Sequence, residues 1–262
     1  IRERRILVMN TNDTAFTPLP GSQKRPIALI TGASRGIGAA IARTFAQAGY
    51  DLILTCIRNE DKLKKLCQEL SDSCSICAVP FCGDMGDFDT VTRLFSTIRR
   101  LDVLVNNAGI SHIGLLFDMT PEEWRRLMAT NLDACFYTCR LAVPLMVREH
   151  AGRILNISSV WGAAGASMEA AYSASKGAVN SLTKALAKEL APSNIPVNAI
   201  ACGVIDTDMN RCFSEEEMQA LIEEIPADRL GTPEEVAALA LQLTQSPTYL
   251  TGQIITIDGG FL

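Results

Sequence analysis

The sequence predicts an α/β fold, a single doubly wound domain built on a seven-stranded parallel sheet. Short apolar runs rich in β-branched residues recur along the chain, and each is apolar on both faces, as a strand covered from both sides must be. Each of the early runs is followed by a longer stretch with helical periodicity. No linker composition and no internal repeat breaks this alternation between residues 25 and 262.

Taken in order, IALIT (27–31) is the first strand and residues 37–48 the first helix. DLILTC (51–56) is followed by a helix over 59–71, and SICAVPF (75–81) by one over 88–98. DVLVNN (102–107) leads into a long helical stretch, 121–149, with a break. RILNIS (153–158) precedes a helix over 171–190. PVNAIA (196–201) precedes helices over 215–224 and 233–245, and QIITID (253–258) is the last strand. Thr120-Pro121-Glu122-Glu123 and Thr232-Pro233-Glu234-Glu235 each supply an N-cap, a proline at the first helical position and an acidic first turn.

Residues 1–24 open with basic side chains, but their apolar stretch runs only from Ile6 to Met9, too short for the core of a secretory signal. They read as a loose leader outside the fold. With 48% hydrophobic and 20% charged residues, the remainder has an ordinary globular composition. The formal net charge of −5 and the lack of a basic stripe argue against nucleic-acid binding. No apolar run approaches the roughly 18 residues that cross a bilayer, so a membrane role is not expected. Nine cysteines scattered through apolar segments fit reduced thiols and a cytoplasmic location. Cys74-Ser-Ile-Cys77 is formally a CxxC, but there is no second pair and only two histidines, His112 and His150, so no metal is expected.

TGASRGIG (31–38) follows the first strand and opens the first helix. Gly32, Gly36 and Gly38 allow a tight turn and close approach of a ligand, and the helix N-terminus presents N–H groups to a diphosphate. By itself the spacing also fits a plain turn between strand and helix. In dinucleotide folds an acid about 20 residues further on, at the end of the second strand, takes the ribose hydroxyls. Here Cys56 and Arg58 stand at that end, and Asp51 begins the strand. With Arg35 in the loop, two guanidiniums and no carboxylate suit a 2′-phosphate, which predicts NADPH over NADH.

TGASRGIG, NNAG (106–109), NISS (156–159), YSASK (172–176) and VNAIACGVIDTDM (197–209) together resemble the short-chain dehydrogenases/reductases, over residues 26 to 262. The resemblance implies a Rossmann-type domain, usually a homotetramer, with the nicotinamide beside a Ser, a Tyr and a Lys. It makes Tyr172 the proton donor or acceptor, Lys176 its partner and Ser159 the group that holds the substrate carbonyl. It also makes Asn131 the support of a water-linked proton path to the lysine. Asp84 would contact the adenine. Ser34, Ile37, Met85, Asn106, Ala108 and Gly109 would line the cofactor trough, and Gly203, Ile205 and Thr207 would flank the nicotinamide. The family usually has Pro-Gly where this chain has Cys202-Gly203, and loss of that proline is expected to loosen the loop. Tyr172 and Lys176 alone would also fit an aromatic and a solvated lysine at i, i+4 on an amphipathic helix.

Within the family the chain looks like the 3-oxoacyl-acyl-carrier-protein reductases, which dock an acidic carrier through basic residues; His150 and Ser193 stand at the equivalent places here. SHIGLL, SSVWGAAGASMEAAYS and EIPADRL also look like reductases of 5-aminopentanone-modified elongation factor P. Glu169, three residues before Tyr172, could pair with a substrate amine there, or be an ordinary solvated glutamate. His112 and Trp161 are the other candidate substrate contacts. A fold that binds NADPH as a sensor without turnover is a third reading, disfavoured because Tyr and Lys are both present.

Overall fold

Ile27–Ile30 forms β1 with every residue buried, and its side chains alternate between two cores. Ala28 and Ile30 join Phe45, Leu63 and Ala237 on one face, while Ile27 and Leu29 join Val91, Leu94 and Met146 on the other. The computed structural model describes residues 25–262, and the expected leader lies outside them.

The remaining strands are β2 (Asp51–Cys56), β3 (Ala78–Cys82), β4 (Val103–Asn106), β5 (Arg153–Ser159), β6 (Val197–Cys202) and β7 (Ile254–Ile257). All pair in parallel, in the order β3-β2-β1-β4-β5-β6-β7. Pro80 is accommodated because β3 is an edge strand, where a missing N–H costs no ladder bond. The strand order reverses between β1 and β4, and ligands of such sheets bind in the crevice outside the carboxyl ends at that point.

The helices are α1 (Gly36–Gln47), α2 (Glu60–Cys74), α3 (Phe88–Ser96), α4 (Pro121–Met128), α5 (Ala134–Glu149), α6 (Trp161–Ala164), α7 (Ala170–Leu190), α8 (Glu215–Glu223) and α9 (Pro233–Gln245). Thr120 and Thr232 cap α4 and α9 with reciprocal Glu123 and Glu235 contacts, as the sequence predicts, and Ser214 with Glu217 does the same for α8. The break in the long stretch is a π-helical turn at Ala129–Asp133, not the proline at Pro144, which sits inside α5. Single π turns gather at functional sites, and this one carries Asn131.

Cys202 is not a loosened position. It ends β6, in register with Ser159 and Ile257. Its carbonyl accepts from Val160 N at 2.9 Å, and Gly203 N donates to Ile257 O at 2.9 Å. Backbone pairing on both sides supplies the order that a proline would otherwise impose. Cys74 closes α2 and Cys77 precedes β3, both as free thiols.

Candidate active site

A trough of about 860 Å³ runs along the carboxyl ends of the strands, within the range of small-ligand sites. Its floor is built by glycine geometry. Gly32 has φ +67°, and a Cβ there would lie 2.9 Å from the Ala108 Cα. The close approach of the two loops leaves room for hydrogen only. Asn107 holds them together: its Nδ2 donates to Thr31 O at 2.9 Å and Gly32 O at 3.1 Å. Thr31 Oγ1 in turn accepts from the Asn107 and Ala108 amides, each at 3.0 Å. Past the loop, the first turn of α1 presents its N–H groups to the trough.

One end of the trough is lined by Arg58, Asp84 and Met85, and its middle by Gly32, Ser34, Arg35, Gly36, Ile37, Ala108 and Gly109. Arg58 is exposed and carries the only charge at the end of β2, as the sequence predicts. Arg35 reaches across to Asp208, Nη1 to Oδ2 at 3.1 Å, tying the glycine loop to the segment after β6. Asp84 Oδ1 accepts from Gly86 N at 2.8 Å.

The other end is lined by Ser159, Trp161, Glu169, Tyr172, Lys176, Gly203, Ile205 and Thr207. Ser159 ends β5, and Tyr172 and Lys176 sit one turn apart on α7. The Ser159 hydroxyl hydrogen-bonds the Tyr172 phenol and accepts from Trp161 N at 3.2 Å. Lys176 is buried, donates through Nζ to Ile157 O at 2.9 Å, and lies 5.6 Å from the Tyr172 ring centroid. Burial pushes the phenol above its ordinary range; the Ser159 bond opposes this, and the Cys202 and Glu169 charges add to it. Burial pulls the Lys176 ammonium down, against the thiols of Cys202 and Cys135.

Glu169 stands at the N-cap of α7 but makes no capping bond with its side chain. Its carboxyl is partly buried in the trough wall, where loss of water raises its pKa and a bond from the Trp161 side chain lowers it. Met168, just before it, takes the left-handed conformation at φ +61°, which turns the chain into the helix. Trp161 also packs edge-on against Phe261, with centroids 5.6 Å apart.

Four expected site residues lie elsewhere. Asn106 is 7% exposed and faces away from the trough, because it and Asn107 alternate at the end of β4. Its Nδ2 donates to Asn156 Oδ1 at 2.9 Å and its Oδ1 accepts from Thr138 Oγ1 at 2.7 Å, inside a buried ladder that continues from Asn156 to Thr183. Gly38 does not line the trough; a Cβ there would meet Gly32 O at 2.4 Å, so it lets α1 pack on the loop. His112 also lies off the wall, with its ring beside Gly114. Asn131 is a strut: Oδ1 accepts from Ile110 N at 2.8 Å, while Nδ2 donates to Ile110 O at 2.9 Å and Ser175 Oγ at 3.0 Å. It borders a second void of about 10 Å³, shared with Lys176, Asn106 and Thr31, with room for about one water.

Sequence reasoning missed Asn107, Thr31 and the mouth of the trough, which Arg126 of α4, Phe213 and the α8 residues Glu217 and Leu221 line. The doubled asparagine of NNAG was a signal for Asn107. An arginine on an exposed helix carries no such signal. Among the described residues, no cluster of His, Cys, Asp and Glu could hold a metal, and no helix is long and apolar enough to cross a membrane.

Residues 26–218 match the model of the short chain dehydrogenase family. The chain is 40% identical over 236 residues to the uncharacterized oxidoreductase YmfI of Bacillus subtilis, covering 89% of this chain and 98% of that one. It is 39% identical over 243 residues to the 3-oxoacyl-acyl-carrier-protein reductase FabG of Thermotoga maritima, covering 90% and 97%. Among solved structures it is similar to YwfH, an NADPH-dependent reductase involved in bacilysin biosynthesis, with a TM-score of 0.86 and 29% identity, covering 91% of this chain and 99% of that one.

Proposed function

This chain belongs to the short-chain dehydrogenase family, and on that premise we propose that it is an NADPH-dependent reductase that converts a ketone to a secondary alcohol, of the 3-oxoacyl-acyl-carrier-protein reductase type. The observation that carries the reading is the joining of Ser159, Tyr172 and Lys176 at one end of a glycine-floored trough. The bound dinucleotide supplies a hydride to the carbonyl carbon; the protein must supply the proton.

Tyr172 is the proton donor to the carbonyl oxygen. Its raised pKa keeps it protonated in the free protein, the form that reduction needs. Ser159, bonded to the same phenol, orients the substrate oxygen toward it. Lys176 places a cation near the ring, where it stabilises the phenolate left behind. Asn131 and the small void beside Lys176 mark the route by which a water returns the proton. Arg35 and Arg58 take the 2′-phosphate, the first turn of α1 the diphosphate, and Asp84 the adenine. Support for NADPH comes from the absence of any acid at the end of β2.

A second reading, reduction of an amino-ketone such as the 5-aminopentanone group on elongation factor P, is favoured by Glu169, a partly buried carboxylate in the wall beside Tyr172. Exposed Phe136 and Trp124 on α5 and α4, with the rings of Phe88 and Tyr137 tilted against each other at 5.1 Å, form an apolar face suited to a second copy in a homotetramer. A cytoplasmic location accords with the free thiols.

Turnover of an acetoacetyl thioester and of a short amino-ketone, each with NADPH and NADH, tests the readings. Thioester turnover that survives Glu169→Gln supports the first. A drop of about tenfold on the amino-ketone alone, the loss of one charge-assisted contact, supports the second. Equal efficiency with the two nucleotides refutes the NADPH assignment, and no turnover of either ketone refutes the reductase reading.

A further inference from the structure

Two cysteines outside the proton-transfer site stand side by side at the far end of the trough. Cys56 and Cys82 stand in register in the β2–β3 pair, and the Cys82 thiol donates to the carbonyl of Ile57, the residue after Cys56, at 3.6 Å. In-register neighbours of a parallel pair project from the same face, on strands about 4.8 Å apart. That separation lies within the roughly 4.4–6.8 Å that a disulfide spans between Cα atoms, although the side chains must lean together for the sulfurs to bond. β3 is the edge of the sheet and Cys82 its last residue, so solvent on one side leaves room for that adjustment, while Gly83 N donates to Cys56 O at 2.8 Å and keeps the two cysteines side by side. Cys82 is exposed while Cys56 is buried. Ile57 and Arg58 follow one thiol, and Gly83, Asp84 and Met85 the other; all line the trough.

We propose that Cys56 and Cys82 form a reversible disulfide on exposure to hydroperoxides, and that closing it weakens dinucleotide binding by moving Arg58 and Asp84. The inference rests on the NADPH reading above. The Cys82 sulfur attacks the peroxide, whose O–O bond breaks to release an alcohol or water, leaving a sulfenic acid on Cys82. The Cys56 sulfur then attacks the Cys82 sulfur; an S–S bond forms, and the hydroxyl leaves as water with the Cys56 proton. Two thiols are oxidised and the peroxide is reduced. Burial holds the Cys56 pKa up at about 12, which makes the exposed thiol the first to react and the buried one the resolving partner. The lean required of the two side chains strains the bond and keeps it within reach of a dithiol reductant.

The full chain is reduced, treated with hydrogen peroxide, and read by non-reducing peptide mapping and by NADPH titration before and after. The expected result is a linked peptide pair holding Cys56 and Cys82 and an NADPH affinity about tenfold weaker, the loss of one charge-assisted contact, with both reversed by dithiothreitol. The Cys82→Ser variant should bind NADPH like the reduced parent and resist peroxide. A map with no Cys56–Cys82 link, a link that leaves NADPH affinity unchanged, or equal peroxide sensitivity in Cys82→Ser overturns the proposal. Failure of the NADPH reading shows separately, as no binding by the reduced protein, while the peptide map still decides whether the thiols join.

Discussion

Replacing Gly38 by alanine tests whether this glycine serves packing, as the structure indicates, and what the packing is worth. A Cβ at this position would lie 2.4 Å from Gly32 O, 2.6 Å from Asn107 Nδ2 and 3.0 Å from Ala33 Cα, where ordinary contact begins at 3.4 Å. The shortfall of 1.0 Å against the carbonyl has no soft partner to absorb it. Gly32 O is itself bonded to Asn107 Nδ2, and the Asn107 amide to Thr31 Oγ1. Either α1 lifts from the loop or the Asn107 clamp opens. Overpacking of this kind costs about 1–3 kcal/mol, and alanine returns about 1 kcal/mol of helix propensity over glycine. The net is a loss of about 0–2 kcal/mol, or up to about 8 °C in Tm for a chain of this size. Because the displaced atoms are the floor of the trough, NADPH affinity should fall about tenfold as well. Thermal melts and NADPH fluorescence titrations read both effects. Gly49→Ala is the control: Gly49 has φ +86° with nothing within 4 Å, so the variant should lose stability through backbone strain and bind NADPH normally. A Gly38→Ala protein as stable as the parent with unchanged NADPH affinity would refute the reasoning.

Substituting Tyr172 by Phe, or Lys176 by Met, should lower kcat for ketone reduction at least about hundredfold, with NADPH still bound in the Tyr172→Phe protein; steady-state rates and titrations check both, and near-parental turnover contradicts the assigned roles. Glu169→Gln should raise Tm at neutral pH. The folded-state pKa of Glu169 lies above its unfolded value, so the native state holds the proton more tightly and loses stability as pH rises through the window between the two. The gain from Gln should therefore vanish in acid below the ordinary glutamate range, and a pH-independent Tm difference would show that desolvation is not its cause.

The alternation of strands and helices was legible because each strand is apolar on both faces, a pattern only a covered parallel sheet requires. The helix starts at Thr120 and Thr232 were equally plain, since a capping box is a local device that needs no tertiary partner. Legibility ended where the outcome depends on which way a loop turns. Asn106 and Asn107 are chemically identical neighbours, yet one joins a buried ladder and the other clamps the glycine loop, a choice made by strand alternation and the position of α5. His112 had the right chemistry, but its ring sits beside Gly114 and outside the trough wall.

By itself the sequence determined the sheet, the glycine turn, and the spacing that sets Tyr172 and Lys176 on one face of one helix, because these follow from periodicities of two and 3.6 residues and from backbone freedom at glycine. Only the tertiary structure decided that Glu169 is a partly buried carboxylate rather than a solvated one, that Arg126 lines the mouth, and that Cys56 meets Cys82. Each of these depends on burial or on pairing between segments distant in the chain, and the free energy of a charge or a thiol is fixed by the water it loses and the neighbour it gains.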